Sequence, residues 1–296
     1  MSSLRWLPTG PALLFAPADR PERFAKASER SDMVILDLED GCRAENRPEA
    51  RRNVIAADLD PARTIVRINP AGTEDFLADV EAVAESPFTQ VMIPKVEDLS
   101  FGDATTGSLA DVISSWHIIA LIETPLGVLN LSTIAQHPQV VALFWGAEDL
   151  TAALGGTSSR YGVDESPTMG GGISGNPGGY REVPRLTRAM VLLHAAAAGK
   201  VALDSIHADT ADVEGARAEA VDAAGSGFAA TVSIHPGLVP AIREAYQPTD
   251  QQLEWARKVI AGARENSGAF AVDGQMIDAP LLRQAEVMAM RAGEEM

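Results

Sequence analysis

Short apolar runs rich in β-branched residues recur along the chain, and each ends at a turn signal. Runs of this kind are typical of parallel strands that are buried on both faces, whereas half-buried strands alternate polar and apolar residues. The runs occupy residues 12–16, 33–38, 64–68, 90–93, 118–122, 140–145, 201–206 and 228–234. They predict eight buried strands.

The segments between most of the predicted strands are rich in Ala, Glu and Arg, which favour helices. Helix-like stretches occupy residues 21–30, 48–57, 73–84 and 210–224. Alternating strands and helices predict an α/β protein. Eight such units favour a TIM (β/α)₈ barrel, although an open doubly wound sheet has a similar pattern.

Two segments depart from this repeat. Residues 155–180 are too rich in Gly and Ser for a packed element, and they predict a flexible excursion after the sixth strand. Helix-like stretches at 250–263 and 280–292 flank a short turn at 273–278, which is more than a barrel requires. We therefore predict a catalytic barrel domain over residues 1–240 and a C-terminal helical extension over residues 241–296.

Polar and charged side chains gather directly after the predicted strands. They are Asp37, Glu39 and Asp40 after the second strand, Arg67 and Asn69 after the third, Lys95 after the fourth, Glu123 after the fifth, Glu148 and Asp149 after the sixth, and His235 after the eighth. The carboxyl ends of barrel strands open onto one rim, where barrel enzymes carry their catalytic groups. The pattern predicts a site as well as a fold.

Glu123 and Asp149 follow consecutive predicted strands, so a barrel makes them neighbours. Two carboxylates with few other protein ligands suit Mg²⁺, or Mn²⁺ in its place, because such a hard cation keeps several waters and takes substrate oxygens as further ligands. Zinc fits poorly, since the chain has no HExxH motif and no paired His/Cys spacing. The alternative is that Glu123 caps a helix and Asp149 begins one.

Arg67 projects from the end of the third strand towards the same predicted pocket. Its guanidinium could bind a substrate carboxylate, or it could neutralise the internal acids Asp37, Glu39 and Asp40. Those acids could in turn hydrogen-bond metal-bound water. Lys95 has the same ambiguity, and we favour a structural or supporting part for it.

The acidic composition limits the partners of the chain. A net charge of -17 and a pI near 4.6 provide no positive field for nucleic acid. One cysteine, Cys42, excludes an intrachain disulfide framework and fits a reducing compartment. No apolar run approaches the roughly 20 residues that span a bilayer, and no signal peptide is evident. We expect a cytoplasmic protein that binds neither nucleic acid nor membranes.

Eight motifs in order make the chain resemble the HpcH/HpaI aldolase and citrate lyase β-subunit family, in its stand-alone citrate lyase β-like branch. They are FAPADRPERFAKA, VILDLEDG, IVRINP, VMIPKVED, ALIETPLGV, LFWGAEDLTAALGG, SIHP and VDGQMIDAP. The resemblance covers nearly the whole chain. It implies a TIM barrel whose C-terminal extension packs on a neighbouring subunit, in a homotrimer or hexamer.

The resemblance also implies roles for individual residues. Glu123 and Asp149 match the Mg²⁺ ligands, and Arg67 matches the arginine that binds the carboxylate of the keto-acid. Asp278 matches a catalytic acid/base that the adjacent subunit delivers. The backbone of Gly146, Ala147 and Glu148 would line the substrate, and the basic residues Arg20, Arg23 and Lys26 would hold the phosphates of coenzyme A.

The implied activity is a Mg²⁺-dependent carbon–carbon lyase. It would cleave or form a 3-hydroxyacyl-CoA thioester, such as malyl-, citramalyl- or citryl-CoA, with an acyl-CoA and a 2-oxo acid as the other side of the reaction. Two alternatives stay open. One is an aldolase that cleaves free hydroxy-keto acids, and the other is a citrate lyase β-like subunit that is active only in a complex.

Overall fold

The computed structural model describes residues 6–101, 107–162, 165, 178–266 and 268–294. Its main sheet consists of β1 (Ala12–Pro17), β2 (Met33–Asp37), β3 (Thr64–Arg67), β4 (Gln90–Ile93), β5 (His117–Ile122), β6 (Val140–Trp145), β7 (Val201–Asp204) and β8 (Ala230–Ser233). These strands are parallel, follow one another in chain order, and close into a barrel because β8 pairs with β1. The predicted TIM barrel is confirmed, and the open-sheet alternative is excluded.

Helices surround the barrel and follow the strands along the chain. They are α1 (Phe24–Arg30), α2 (Arg47–Ile55), α3 (Glu74–Glu85), α4 (Gly107–Ser114), α5 (Pro125–Leu129), α6 (Leu131–Gln136), α7 (Ala147–Ala153), α8 (Glu182–Ala197), α9 (Val213–Ser226) and α10 (Val239–Tyr246). Short 3₁₀ turns occupy Pro21–Arg23, Ala44–Asn46 and Pro61–Arg63. The first of them shows that the helix-like stretch at 21–30 begins as a tighter turn.

The core has two layers, because successive side chains of a strand point to opposite faces. Along β2, Met33 and Ile35 belong to a cluster made of strand residues, which fills the barrel interior. Val34 and Leu36 belong to the other cluster, which joins the strands to residues of the surrounding helices. Burial on both faces explains why these strands are largely apolar and do not alternate polar with apolar residues.

The C-terminal extension has a small core of its own. It comprises α11 (Asp250–Glu265), β9 (Phe270–Val272), β10 (Gln275–Ile277) and α12 (Ala279–Arg291), packed around a five-residue apolar cluster. The predicted turn is a β-hairpin, whose loop residues Asp273 and Gly274 both have positive φ, as type I′ hairpin turns require. The last barrel helix, α10, runs across the predicted boundary between residues 240 and 241.

One described attachment of the extension lies near the amino end of β8. Arg291, at the end of α12, donates hydrogen bonds to the carbonyls of Ala224 and Phe228, which precede β8. That end of the barrel is opposite to the rim where the strands finish.

Most of the glycine-rich excursion predicted at 155–180 lies outside the described residues. At its described ends, Arg160 and Tyr180 form an antiparallel bridge. No helix among the described residues is long and apolar enough to cross a membrane.

Candidate active site

The strand register determines which side chains meet at the carboxyl rim of the barrel. Asp37 pairs with Arg67 across β2 and β3, and Ile122 pairs with Trp145 across β5 and β6. Glu123 therefore lies beside Gly146, and a β-carbon at Gly146 would clash with the Glu123 carboxylate. Glycine is needed there because the backbone approaches the acid closely.

Seven charged residues at this rim form what we call the rim cluster: Asp37, Glu39, Asp40, Arg67, Lys95, Glu123 and Asp149. Glu123 follows β5 and its side chain is 3% exposed, whereas Asp149, in the first turn of α7, is 40% exposed. Both carboxylates contact the ammonium of Lys95, at 4.0 Å from Glu123 Oε1 and 3.4 Å from Asp149 Oδ1. The structure thus brings together the two predicted metal ligands.

Lys95 occupies the centre of the rim cluster. Besides Glu123 and Asp149, its Nζ lies 2.5 Å from Glu39 Oε1 and 3.7 Å from Asp40 Oδ2. Its backbone N–H donates to Glu123 Oε1 at 3.1 Å, and its φ of +52° is in the left-handed region, which is unusual for a lysine. Burial lowers the pKa of Lys95, but the nearby carboxylates outweigh it and hold the pKa above its ordinary value.

Arg67 is engaged with internal acids. Its Nε and Nη2 donate to the two oxygens of Asp37 at 2.7 and 2.6 Å, and Nη1 lies 2.9 Å from Glu39 Oε2. The guanidinium also lies over the ring of Phe15, 4.6 Å from its centroid, and the side chain is 12% exposed. The internal ion pair considered from the sequence is therefore present, and contact between Arg67 and a substrate stays a prediction.

The electrostatic balance of the rim cluster is acidic. Burial, followed by the negative charge of Asp149, raises the pKa of Glu123 to about 8. Burial also raises the pKa of Glu39, although Arg67 and Lys95 oppose it. Glu39 Oε2 makes no hydrogen bond despite the nearby Arg67. Two basic residues do not saturate five acids, so the cluster has capacity for further positive charge.

The donor set suits a hard divalent cation that completes its shell elsewhere. Within the described residues, no group of three or more His, Cys, Asp or Glu side chains is arranged to hold a metal ion by itself. Two carboxylates at one rim, one of them buried and with a raised pKa, fit Mg²⁺ with water and substrate oxygens as its other ligands. They do not fit the closed nitrogen and sulfur shell of structural zinc.

A cavity of about 450 Å³ opens beside Lys95, between the loops that follow β3 and β4. Its lining includes the apolar side chains of Phe76, Leu77 and Phe101 together with Lys95 and Asp98. Apolar walls with a few converging polar groups are typical of small-molecule sites. This cavity provides room for a substrate next to the rim cluster.

The remaining predicted site residues are distributed around the barrel. Gly146 and Ala147 begin α7, and the side chain of Glu148 accepts a hydrogen bond from Ser159 Oγ at 2.6 Å. The three basic residues of the predicted coenzyme A site, Arg20, Arg23 and Lys26, are exposed in the segment that follows β1.

Asp278 lies at the start of α12 in the extension, where its side chain caps the helix through Leu281 N–H. Among the described residues, no hydrogen bond or ion pair joins Asp278 to the rim cluster of its own chain. The structure therefore does not bring this predicted acid/base to the other site residues within one chain.

A second network of charges, half-buried around the buried Asp204 and Trp145, was not predicted from the sequence. We call it the β7 cluster: Trp145, Arg160, Arg188, Asp204, His207 and Glu219. Asp204 accepts two hydrogen bonds from Arg188, at 2.9 and 2.8 Å, and one from Trp145 Nε1. The partners are far apart in the chain, and no local motif marks them, so only the closed barrel reveals the pairing.

Comparison with known proteins gives a consistent result. The model of the family HpcH/HpaI aldolase/citrate lyase matches residues 12–236. A citrate lyase subunit beta-like protein of Mycobacterium tuberculosis is 47% identical over 287 residues, 96% of each chain. An L-malyl-CoA/beta-methylmalyl-CoA lyase of Rhodobacter capsulatus is 30% identical over 315 residues, 98% of each chain.

Among solved structures, protein CitE from Mycobacterium tuberculosis in complex with magnesium, acetoacetate and coenzyme A matches with a TM-score of 0.84 at 47% identity. The match covers 97% of this chain and 99% of that chain. A closed parallel barrel with paired carboxylates at its carboxyl rim defines a TIM-barrel protein with an enzyme-like site. This chain belongs to the HpcH/HpaI aldolase/citrate lyase family, and the predicted resemblance is confirmed.

Proposed function

We propose that this protein is a Mg²⁺-dependent carbon–carbon lyase that cleaves or forms a 3-hydroxyacyl-CoA thioester, with an acyl-CoA and a 2-oxo acid on the other side of the reaction. The observation that carries the proposal is the closeness of the Glu123 and Asp149 carboxylates at the rim, where both contact the ammonium of Lys95. The names of the relatives confirm the predicted lyase class. The magnesium and coenzyme A of the CitE complex agree with the predicted cofactor and substrate.

Glu123 and Asp149 would hold the metal, with Mn²⁺ able to replace Mg²⁺. When bound, such an ion supplies Lewis acidity and orients oxygen atoms on which negative charge develops. Arg67, kept in place by Asp37, would bind the carboxylate of the keto-acid through the guanidinium N–H groups that Asp37 does not occupy. The backbone of Gly146, Ala147 and Glu148 would line the same substrate.

Asp278 of a neighbouring subunit would act as the acid/base that transfers the proton. In the cleavage direction a base removes the hydroxyl proton, the carbon–carbon bond breaks, and the thioester carbon is then protonated. Two features support delivery from another subunit: the extension has its own apolar core, and among the described residues no hydrogen bond or ion pair joins Asp278 to the rim cluster of its own chain. The active unit would be a homotrimer or hexamer in the cytoplasm.

The exposed residues Arg20, Arg23 and Lys26 would bind the phosphates of coenzyme A. They follow β1, so they lie at the rim end of the barrel. A local cationic patch is required for such a substrate, because the chain as a whole carries a charge of -17 and repels anions.

The direct test is keto-acid release by the purified protein alone, supplied with malyl-, methylmalyl-, citramalyl- and citryl-CoA in turn. We expect cleavage of at least one thioester with Mg²⁺, loss of activity with a chelator, and recovery with Mg²⁺ or Mn²⁺. A protein that cleaves free hydroxy-keto acids but none of the thioesters would be an aldolase. Activity that appears only with an added acyl-carrier partner would favour the subunit alternative.

Subunit mixing tests the role of Asp278. Asp278→Asn and Glu123→Gln proteins are each expected to be nearly inactive, but a co-refolded equal mixture should regain about a quarter of wild-type activity. In a cyclic oligomer, that is the fraction of sites that combine an intact rim from one chain with an intact Asp278 from the next. A mixture no more active than its components would exclude Asp278 as a group shared between subunits.

A further inference from the structure

The ammonium of Lys95 contacts the same carboxylates that are proposed to hold the metal. Four acids surround it within 4.0 Å: Glu39, Asp40, Glu123 and Asp149. The shortest of these contacts is a 2.5 Å hydrogen bond to Glu39 Oε1, whereas those to Glu123 and Asp149 are longer. One ammonium is thus shared by four acids at unequal distances, with Glu39 the nearest and Glu123 the farthest.

The position of Lys95 is maintained by its backbone as well as by its charge. The positive φ and the hydrogen bond from its N–H to Glu123 Oε1 place the residue directly against the metal carboxylate. A left-handed lysine persists only when its surroundings over-determine it, and such strain concentrates at functional sites. This placement therefore calls for a role beyond that of a surface ion pair.

We propose that Lys95 is an internal competitor for the divalent cation: its ammonium and Mg²⁺ bind the same oxygens of Glu123 and Asp149. Binding of Mg²⁺ displaces the ammonium towards Glu39 and Asp40, where it keeps two partners. Lys95 therefore weakens Mg²⁺ binding and offsets part of the negative charge of the acids in the absence of a divalent cation. This inference rests on the metal site in the proposed function, and it adds a residue that controls the affinity of that site.

The test is Mg²⁺ titration of the full chain by calorimetry, at one fixed, mildly alkaline pH. Because removal of a positive charge about 4 Å from the metal ligands abolishes repulsion, we expect Lys95→Met to bind Mg²⁺ at least about tenfold more tightly than wild type. Lys95→Arg keeps the competing charge, so its Kd should stay within about threefold of the wild-type value. This conservative variant separates the effect of charge from that of packing.

Arg52→Met is a matched control for the change in net charge. Arg52 pairs with Glu49 on the exposed surface of α2, and its side chain is 66% exposed. Removing this charge should change the Mg²⁺ Kd by less than about twofold, because solvent screens exposed charges.

Thermal unfolding gives a second readout that does not depend on activity. With a chelator, Lys95→Met should unfold at a lower temperature than wild type, because four acids lose a shared cation. Added Mg²⁺ should raise its Tm by more than it raises that of wild type, since ligand binding stabilises by mass action. If Lys95→Met is too unstable to purify, Lys95→Gln serves in both measurements.

Glu123→Gln separates the inference from the proposed function. If Glu123→Gln loses Mg²⁺ binding while Lys95→Met binds like wild type or more weakly, competition by Lys95 is wrong and the metal site stands. If Glu123→Gln binds Mg²⁺ as wild type does, both the metal site and the competition are wrong. Tighter binding by Lys95→Met together with loss of binding by Glu123→Gln supports both.

Discussion

The rim cluster and the β7 cluster contain buried acids at the same end of the barrel, yet their charges are balanced differently. Burial tends to raise the pKa of Glu219 in the β7 cluster, but hydrogen bonds from His207 and Arg160 outweigh it and the pKa is lowered. In the rim cluster, burial and Asp149 together raise the pKa of Glu123 to about 8. A saturated acid holds structure, whereas an undersaturated acid keeps capacity for a ligand.

The distances support the same contrast. Asp204 is bound by Arg188 at 2.8 and 2.9 Å, in a planar two-bond pairing. Glu123 and Asp149 share one ammonium at 4.0 and 3.4 Å. Changes in the rim cluster should therefore affect chemistry first, and changes in the β7 cluster should affect stability first.

The largest effect is expected from Glu123→Gln. Loss of a metal carboxylate should reduce kcat/KM by about 10³-fold or more, roughly 4 kcal/mol of transition-state stabilisation. The fold should survive, because a neutral amide suits a buried position where the pKa of the acid is already raised. Steady-state kinetics with Mg²⁺ measure the loss of activity, and the thermal midpoint of unfolding shows whether the fold survives. Wild-type turnover by this variant would contradict the assignment of Glu123 as a metal ligand.

A smaller effect, on stability rather than on activity, is expected from Asp204→Asn. The change removes the charge that faces Arg188, which retains Asp222 at 2.7 Å, so we expect a loss of about 2 kcal/mol in the free energy of unfolding. Urea unfolding measures this loss. Activity per folded molecule should fall less than about tenfold, and a fall as large as that of Glu123→Gln would erase the distinction between the clusters.

The smallest effect, taken for a change of one pH unit, is a pH dependence of metal binding. Because the pKa of Glu123 is raised to about 8, its carboxyl holds a proton below that pH, and Mg²⁺ must displace it. The apparent affinity should fall about tenfold, or about 1.4 kcal/mol, for each pH unit below 8, and level off above it. Calorimetric titration over a pH series measures the slope, and an affinity that is flat between about pH 6 and pH 8 would contradict this account.

Much of the fold could be predicted from the chain alone. The largely apolar run at residues 33–38 contains a strand, Met33–Asp37, that is buried on both faces, and the same signal located every strand of the barrel. At residues 273–278 the sequence predicted a turn but not the two strands of the hairpin. Strands of three residues are too short to show the alternation of polar and apolar positions.

The candidate site divides in the same way. Glu123 and Asp149 were predicted to be neighbours because consecutive strand ends adjoin in any closed parallel barrel, and the structure brings both to Lys95. The contacts of Lys95 could not be predicted, because a positive φ and four nearby carboxylates leave no signal in the sequence of a residue that simply follows a strand.

Sequence by itself determined the elements and the end of the barrel at which chemistry gathers, because hydrophobic periodicity and strand-end residues are local properties of the chain. Tertiary structure decided which charges are saturated. Asp37 and Asp204 are both strand-end acids, and each is matched by an arginine only through long-range packing. Glu123 is left undersaturated because burial and the position of neighbouring side chains, which depend on the closed barrel, determine the energy of a charge.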